Sequence, residues 1–378
     1  MTSSVASLAA TAPTVPADMQ STLSAMADCL AAGDPAYVPS KFWEALNSTN
    51  LKQLEVDGVE NLKQTVALNY FTWVVGQQHE QFRYLLENTS QFAWPSILYR
   101  LWRRRLTAGI AYRLTPRDVS SRLNRDQQVE MTVLTNMLWE LARRSDSLGL
   151  LNTLEEPAVG NPFKIFHGGK LISQDLANSV LEFYSVRECF NPPLDASVKI
   201  CELGAGYGRN AYVFLKAFRN CKYVVVDIPP ALYVSQHYLS SVFPDRRVFK
   251  FRCFESFGEV KDELEAAEIA FLLPHQAAML REKSFDLFVN ISSLHEMRPE
   301  QIAAYFSLID RLTQGYFYSK QWFVSENPVD GLRIRHDDYP VPAHWRELYL
   351  RPARVQTAFF EAMYAVGQNP DLTERQKR

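Results

Sequence analysis

The chain has 378 residues, 47% hydrophobic and 22% charged, with a formal net charge of -2 at pH 7. That length exceeds one ordinary domain, and that apolar share is enough to fill a proper core. A balance so close to neutral gives no electrostatic reason to expect nucleic acid or an anionic membrane surface as a partner. The five cysteines, Cys29, Cys189, Cys201, Cys221 and Cys253, are odd in number and form no C-x-x-C pair. They read as reduced core thiols, which suits a cytoplasmic protein. No apolar run is long enough to span a bilayer, so membrane insertion is not expected.

In chain order, residues 1–36 read as a flexible tail rich in Ala, Ser, Thr and Pro, with a short helix over residues 17–32. This stretch carries no Lys or Arg, so the charged start of an export signal is missing. Residues 37–165 are nearly free of strand patterns. Apolar residues recur at helical spacing in Leu62, Val66, Tyr70, Trp73 and Val74, and again in Met131, Leu134, Leu138 and Leu141, which predicts a helical domain over the active site. Its aromatics include Phe42, Trp43, Tyr70, Phe71, Trp73, Phe82, Tyr84, Phe92, Trp94, Tyr99, Trp102 and Tyr112. Most are expected in the helical core, with one or two stacking on a ligand. Arg100, Arg103, Arg104 and Arg105 form a basic cluster that reads as a solvated helix face or as a phosphate grip.

Residues 166–378 carry the αβ pattern. Gly168-Gly169 breaks the chain, Ser173 is placed to cap a helix, and Asp175 lies in that helix's first turn. Gln174, Asp175, Asn178 and Tyr184 on it are candidate pocket residues. Next comes Lys199-Ile200-Cys201-Glu202-Leu203-Gly204-Ala205-Gly206-Tyr207-Gly208, an apolar strand running into an acid and alternating glycines. Glycine there permits a sharp turn and close approach to a ligand. A helix follows, then Tyr223-Val224-Val225-Val226-Asp227, a buried strand ending in a carboxylate where such folds hold a ribose. Arg209 stands where a dinucleotide fold wants its third small residue, and no Gly-Lys-Ser/Thr of a P-loop follows. Glu202 would repel a pyrophosphate and attract a cationic aminoacyl group. The pattern therefore favours S-adenosylmethionine over a nicotinamide dinucleotide.

Both Val248-Phe249-Lys250-Phe251-Arg252-Cys253-Phe254 and Ile269-Ala270-Phe271-Leu272-Leu273 read as strands. The second is the better third core strand, with Pro274-His275-Gln276 as a turn against adenine. Phe285-Asp286-Leu287-Phe288-Val289-Asn290-Ile291 is a fourth strand, and its loop carries His295 and Glu296 where an acceptor would lie. Histidine is well poised to accept a proton near neutral pH. The expected base is therefore His295, with Glu296 orienting it or holding a neighbouring hydroxyl. Lys320-Gln321-Trp322 closes a fifth strand on the same side. His336-Asp337-Asp338 raises a Mg2+ option that is not favoured, since adjacent residues seldom chelate one ion together. Residues 359–366 are one candidate for a closing strand pair.

The E-L-G-A-G-Y-G-R-N loop, V-V-D-I-P-P-A-L and N-I-S-S-L-H-E-M resemble the class I methyltransferases, and most closely the bacterial sugar O-methyltransferase family. Lys41-Phe42-Trp43, Asn50-Leu51-Lys52-Gln53-Leu54 and Ile172-Ser173-Gln174-Asp175-Leu176-Ala177-Asn178-Ser179 also resemble it, so the likeness covers about residues 38–350. It implies a doubly wound Rossmann-like α/β sheet with an N-terminal helical domain. It also implies S-adenosyl-L-methionine held by Glu202, Gly204, Ala205, Gly206, Gly208, Asp227, Ile228 and Asn290, with methyl transfer to a sugar hydroxyl of a glycan or glycosylated metabolite. In plant phenolic O-methyltransferases a histidine followed by an acid occupies a similar loop, which supports His295 and leaves a phenolic or polyketide acceptor as an alternative. A non-catalytic cofactor-binding protein is a further alternative. A homo-oligomer is compatible with all three.

Overall fold

The computed structural model describes residues 17–70, 84–85, 87–88 and 125–367. The basic cluster at Arg100 to Arg105 and the aromatics Phe71, Trp73, Phe82, Phe92, Trp94, Tyr99, Trp102 and Tyr112 lie outside these residues. The helix expected near the start is α1, Ala17–Ala31. Met19, Met26 and Leu30 recur on one face of it and are buried, with Leu23 packed beside them. Helix α2, Lys41–Asp57, starts where the Ser40 hydroxyl accepts the Trp43 N–H, and Gly58 at φ +74° ends it. Helix α3, Arg125–Ser145, buries Met131, Leu134 and Leu138 and packs along α4, Gln174–Arg187. Between them is a hairpin of β1, Ile165–His167, and β2, Lys170–Ile172, turned by Gly168 and Gly169 at positive φ. As expected, the Ser173 hydroxyl caps α4 by accepting the Leu176 N–H.

The remaining elements build one helix-covered sheet, apart from a separate two-stranded hairpin. In chain order they are β3 Ser197–Leu203, α5 Arg209–Ala217, β4 Asn220–Val226, α6 Ala231–Val242, β5 Val248–Phe249, β6 Ile269–Leu272, α7 Pro274–Ala278 and β7 Phe285–Ile291. There follow α8 Pro299–Leu312, β8 Thr313–Trp322, the hairpin β9 Val324–Asn327 with β10 Leu332–Arg335, β11 Arg346–Pro352 and β12 Phe359–Ala365. The sheet order is β11-β12-β8-β7-β3-β4-β6-β5, with pairings parallel from β8 to β5 and antiparallel from β8 through β12 to β11. Strand alternation divides the core in two. Ile200, Val225, Val289 and Tyr318 face α4, α5 and α6, whereas Cys201, Val224, Phe288 and Phe317 face α8. This is the doubly wound α/β sheet expected. Both candidate third strands enter it, the longer one beside β4 and Val248–Phe249 as the short edge.

One expectation is overturned. Cys29 and Cys253 form a disulfide, with Cα atoms 6.1 Å apart and 224 residues between them. The last turn of α1 packs against the segment after β5, a nonlocal contact that no cysteine spacing reveals. Cys189, Cys201 and Cys221 are free thiols. Cysteine usage therefore no longer argues for a reducing compartment. Among the described residues, no helix is long and apolar enough to cross a membrane.

Candidate functional site

The carboxyl ends of β3, β4 and β7 open into a cleft of about 960 Å³, its solvent-open mouth included. Glu202, Gly204, Ala205, Gly206, Asp227, Ile228 and Glu296 all line it. Gly204, Gly206 and Gly208 have φ of +70°, +60° and +90°, so the alternating glycines meet a real backbone demand. A Cβ on Gly204 would lie 2.3 Å from the Ser293 hydroxyl, and one on Gly206 would lie 3.2 Å from Tyr70 Cβ. Gly208 does not line the cleft; it starts α5 and packs on Leu239 of α6.

The floor is acidic. Glu202 is 2% exposed and accepts hydrogen bonds from the Tyr223 hydroxyl at 2.7 Å and from Asn210 Nδ2 at 3.3 Å. Asp227 accepts from the Gly206 and Ile228 N–H groups at 3.0 and 2.8 Å. Desolvation outweighs these bonds and pushes both carboxyls up to about 7. Arg209, also on the wall, is taken up by Glu182 on α4 and Ser179. Despite burial, Arg209 and Lys320 together hold the Glu182 carboxyl down at about 2. Lys320 is therefore buried and paired with Glu182 rather than facing the cleft. With Arg209 taken up by Glu182, the ionisable groups left to a ligand on this wall are carboxyls, which fits a cationic ligand group and opposes a pyrophosphate. The fit to a sulfonium nucleoside rests on that buried pair of carboxyls, neither of which is ion-paired among the described residues, the nearby Arg209 being bound to Glu182.

The two residues expected to carry chemistry are placed differently. Glu296 lines the cleft, its side chain 23% exposed. Burial raises its carboxyl to about 8. His295 is 3% exposed and does not line the cleft; it stands behind Glu296, with Nε2 3.7 Å from Glu296 Oε1. Its Nδ1 is 2.9 Å from Gln321 Oε1, and its ring packs edge-on to Trp322 and Phe359. Burial lowers His295 to about 4, so it is neutral at pH 7. Asn290 is also displaced from its expected role. It is fully buried and spends its amide on Leu203 O, Ser293 Oγ and Gln321 Nε2, tying β3 to β8 from behind the cleft. In a tight loop and at a strand end, side-chain direction follows backbone geometry that sequence period does not report. Ser292 between them has φ +57°, the left-handed region that a side chain resists.

The opposite wall comes from the beginning of the chain. Tyr37, Pro39, Ser40, Trp43, Asn69 and Tyr70 line the cleft, facing Met297, Gln301 and Tyr305. Tyr37 and Tyr305 pack with ring centroids 5.2 Å apart, and Trp43 and Tyr70 at 6.4 Å. This segment is tied down at Val38 O, which accepts from Gln301 Nε2, and at Ser40 Oγ, which donates to Glu296 O at 3.1 Å. The Asp330 carboxylate accepts the Lys41 and Phe42 N–H groups at 3.1 and 3.0 Å. Tyr37, Ser40 and Gln301 were not anticipated; the prolines flanking Tyr37 were the available signal for an ordered strap there.

The other candidates lie elsewhere. Asp175 accepts the Tyr207 hydroxyl at 2.9 Å and, with Gln174, borders a separate cavity. Asn178 is buried in α4, and the Tyr184 hydroxyl donates to Asp146. Pro274 reaches the cleft as the start of α7, while His275 packs against Gly33 and Gln276 binds Arg252 O. Asp337 pairs with Arg335, Asp338 accepts the Arg335 N–H, and the His336 ring lies on Phe323. Among the described residues no group of three metal-ligating side chains converges.

No protein-family profile matches the sequence, and no curated protein matches it. Among solved structures, an S-adenosylmethionine-dependent methyltransferase of Aquifex aeolicus is 12% identical over 48% of this chain and 93% of its own, with a TM-score of 0.28. The 1,6-didemethyltoxoflavin-N1-methyltransferase of Burkholderia thailandensis, solved with S-adenosylhomocysteine, is 12% identical over 66% of this chain and 93% of its own, with a TM-score of 0.37. An arsenic(III) methyltransferase of Chlamydomonas reinhardtii is 18% identical over 52% and 74%, with a TM-score of 0.31.

Proposed function

We propose that the protein is an S-adenosyl-L-methionine-dependent O-methyltransferase whose acceptor is a sugar hydroxyl of a glycan or glycosylated metabolite. One observation carries the reading: a glycine loop backed by two desolvated carboxylates, Glu202 and Asp227, shares a single cleft with a titratable carboxyl, Glu296. When bound, S-adenosylmethionine supplies an activated methyl group whose bond to sulfur breaks as the new C–O bond forms. Glu202 and Asp227 provide negative charge for the cofactor's cationic and ribose ends. Glu296, rather than His295, is the group within reach of the acceptor, and in its ionised form it takes the hydroxyl proton as the oxygen gains the methyl. Positioning the two reactants contributes most of the acceleration. Asn69 and the aromatic rings beside it give the cleft a polar side chain among flat apolar faces, the mixture a sugar ring uses, while Ser40 and Gln301 are spent holding the strap in place.

A phenolic or polyketide acceptor is the second reading, favoured by the aromatic residues Tyr37, Trp43, Tyr70, Tyr207 and Tyr305 on one cleft. Incubation with methyl-labelled cofactor and a panel of glycans and phenols separates the two. Transfer to glycans alone supports the first reading and transfer to phenols alone the second. Calorimetric binding of S-adenosylhomocysteine without transfer to any acceptor leaves a non-catalytic binding protein, and no binding overturns the reading altogether.

A further inference from the structure

We infer that Gln321, on β8, is a positioning residue: through a fixed chain of amide orientations it makes His295 present an unprotonated Nε2 to Glu296. This rests on the methyltransferase reading for its catalytic meaning, but not for its geometry. The chain begins at a group with no freedom. The main-chain carbonyl of Leu203 can only accept, so the Asn290 atom 2.9 Å away is Nδ2. Its second hydrogen goes to Ser293 Oγ at 2.6 Å, which turns Oδ1 towards Gln321. The Gln321 atom between Asn290 Oδ1 and Asn290 O faces two acceptors and must be Nε2. Gln321 Oε1 therefore faces His295, accepting from Nδ1 at 2.9 Å and from the His295 N–H at 3.4 Å. An acceptor opposite Nδ1 puts the ring hydrogen there and leaves the lone pair on Nε2, 3.7 Å from Glu296 Oε1.

That separation is longer than a hydrogen bond and closes with a small movement of the Glu296 side chain. Once closed, protonated Glu296 has a partner for its O–H, so a proton taken from an acceptor hydroxyl is retained on Glu296. Among the described residues no competing charge faces the ring. His295 is otherwise faced by the rings of Trp322 and Phe359, and the Lys320 ammonium above Phe359 is committed to Glu182. The Glu296 charge is also felt by Tyr339, whose buried hydroxyl has no hydrogen-bond partner among the described residues.

The test is a nitrogen NMR spectrum of the full chain with labelled histidine, His295 being assigned through His295→Asn. The expected wild-type signature at pH 7 is a protonated Nδ1 with an unprotonated Nε2. In Gln321→Glu the His295 midpoint should rise by at least one pH unit, because a carboxylate beside Nδ1 favours the charged ring. In Gln321→Leu the two tautomers should mix and kcat should drop about tenfold with KM changed less than twofold. A wild-type ring protonated at Nε2, or an unmoved His295 midpoint in Gln321→Glu, overturns the inference. The wild-type spectrum decides it even if both variants fail to fold. If no acceptor is ever methylated, the tautomer still reports on Gln321 while the enzymatic reading fails separately.

Discussion

Replacing Glu202 by Gln should make the ligand-free protein more stable and the cofactor complex weaker. The Glu202 carboxyl stands at about 7 in the fold against an ordinary 4.5, because burial penalises its charge. A shift of that size corresponds to about 3 kcal/mol. The folded state holds the proton more tightly than the unfolded chain, so the wild type loses stability as pH rises from about 4.5 to about 7 and stays lower above that. Glutamine is neutral throughout and keeps both contacts, since its carbonyl can accept from Asn210 and its amide can donate to the Tyr223 oxygen. Urea unfolding should therefore show the difference between Glu202→Gln and wild type growing by about 2.5 kcal/mol in the variant's favour between pH 5 and pH 8. Calorimetry at pH 8 should show S-adenosylmethionine bound at least tenfold more weakly, because a charge pair in such a site is worth up to about 4 kcal/mol. A stability difference independent of pH would mean that Glu202 is only a hydrogen-bond acceptor and would refute the reasoning.

Glu296→Gln cannot take up a proton, so methyl transfer should fall by about 10²- to 10⁴-fold while cofactor affinity changes less than twofold. In the wild type the rate should climb with pH through about 8, as the Glu296 carboxyl ionises; a flat profile counts against its role. Gly204→Ala should destabilise by at least about 1 to 2 kcal/mol from its left-handed backbone alone, with displacement of Ser293 besides, measured by thermal unfolding. Asp330→Ala removes the acceptor for the first two N–H groups of α2. Loss of this cap should cost about 1 kcal/mol and raise proteolytic cleavage between residues 33 and 43.

The parallel part of the fold was legible because buried strands and the glycine turns after them are local patterns. Glu202, the glycines and Asp227 could be read together because β3, the loop and β4 follow one another along the chain. His295 and Asn290 were misplaced relative to the cleft because nothing in N-I-S-S-L-H-E-M says which side chains turn inward. That depends on the strained Ser292 and on Gln321, a residue on the neighbouring strand. The Cys29–Cys253 bond and the wall at Tyr37 and Ser40 were hidden for another reason: their partners are hundreds of residues away.

That wall imposes an order on biosynthesis. The strap that closes the cleft leaves the ribosome early, yet Asp330, which fastens Lys41, is made 289 residues later. At ordinary translation speeds the delay is roughly 15 to 60 s. Throughout it Met19, Met26 and Tyr37 have no finished sheet to bury them, so this segment keeps apolar side chains in water until the last strands are made.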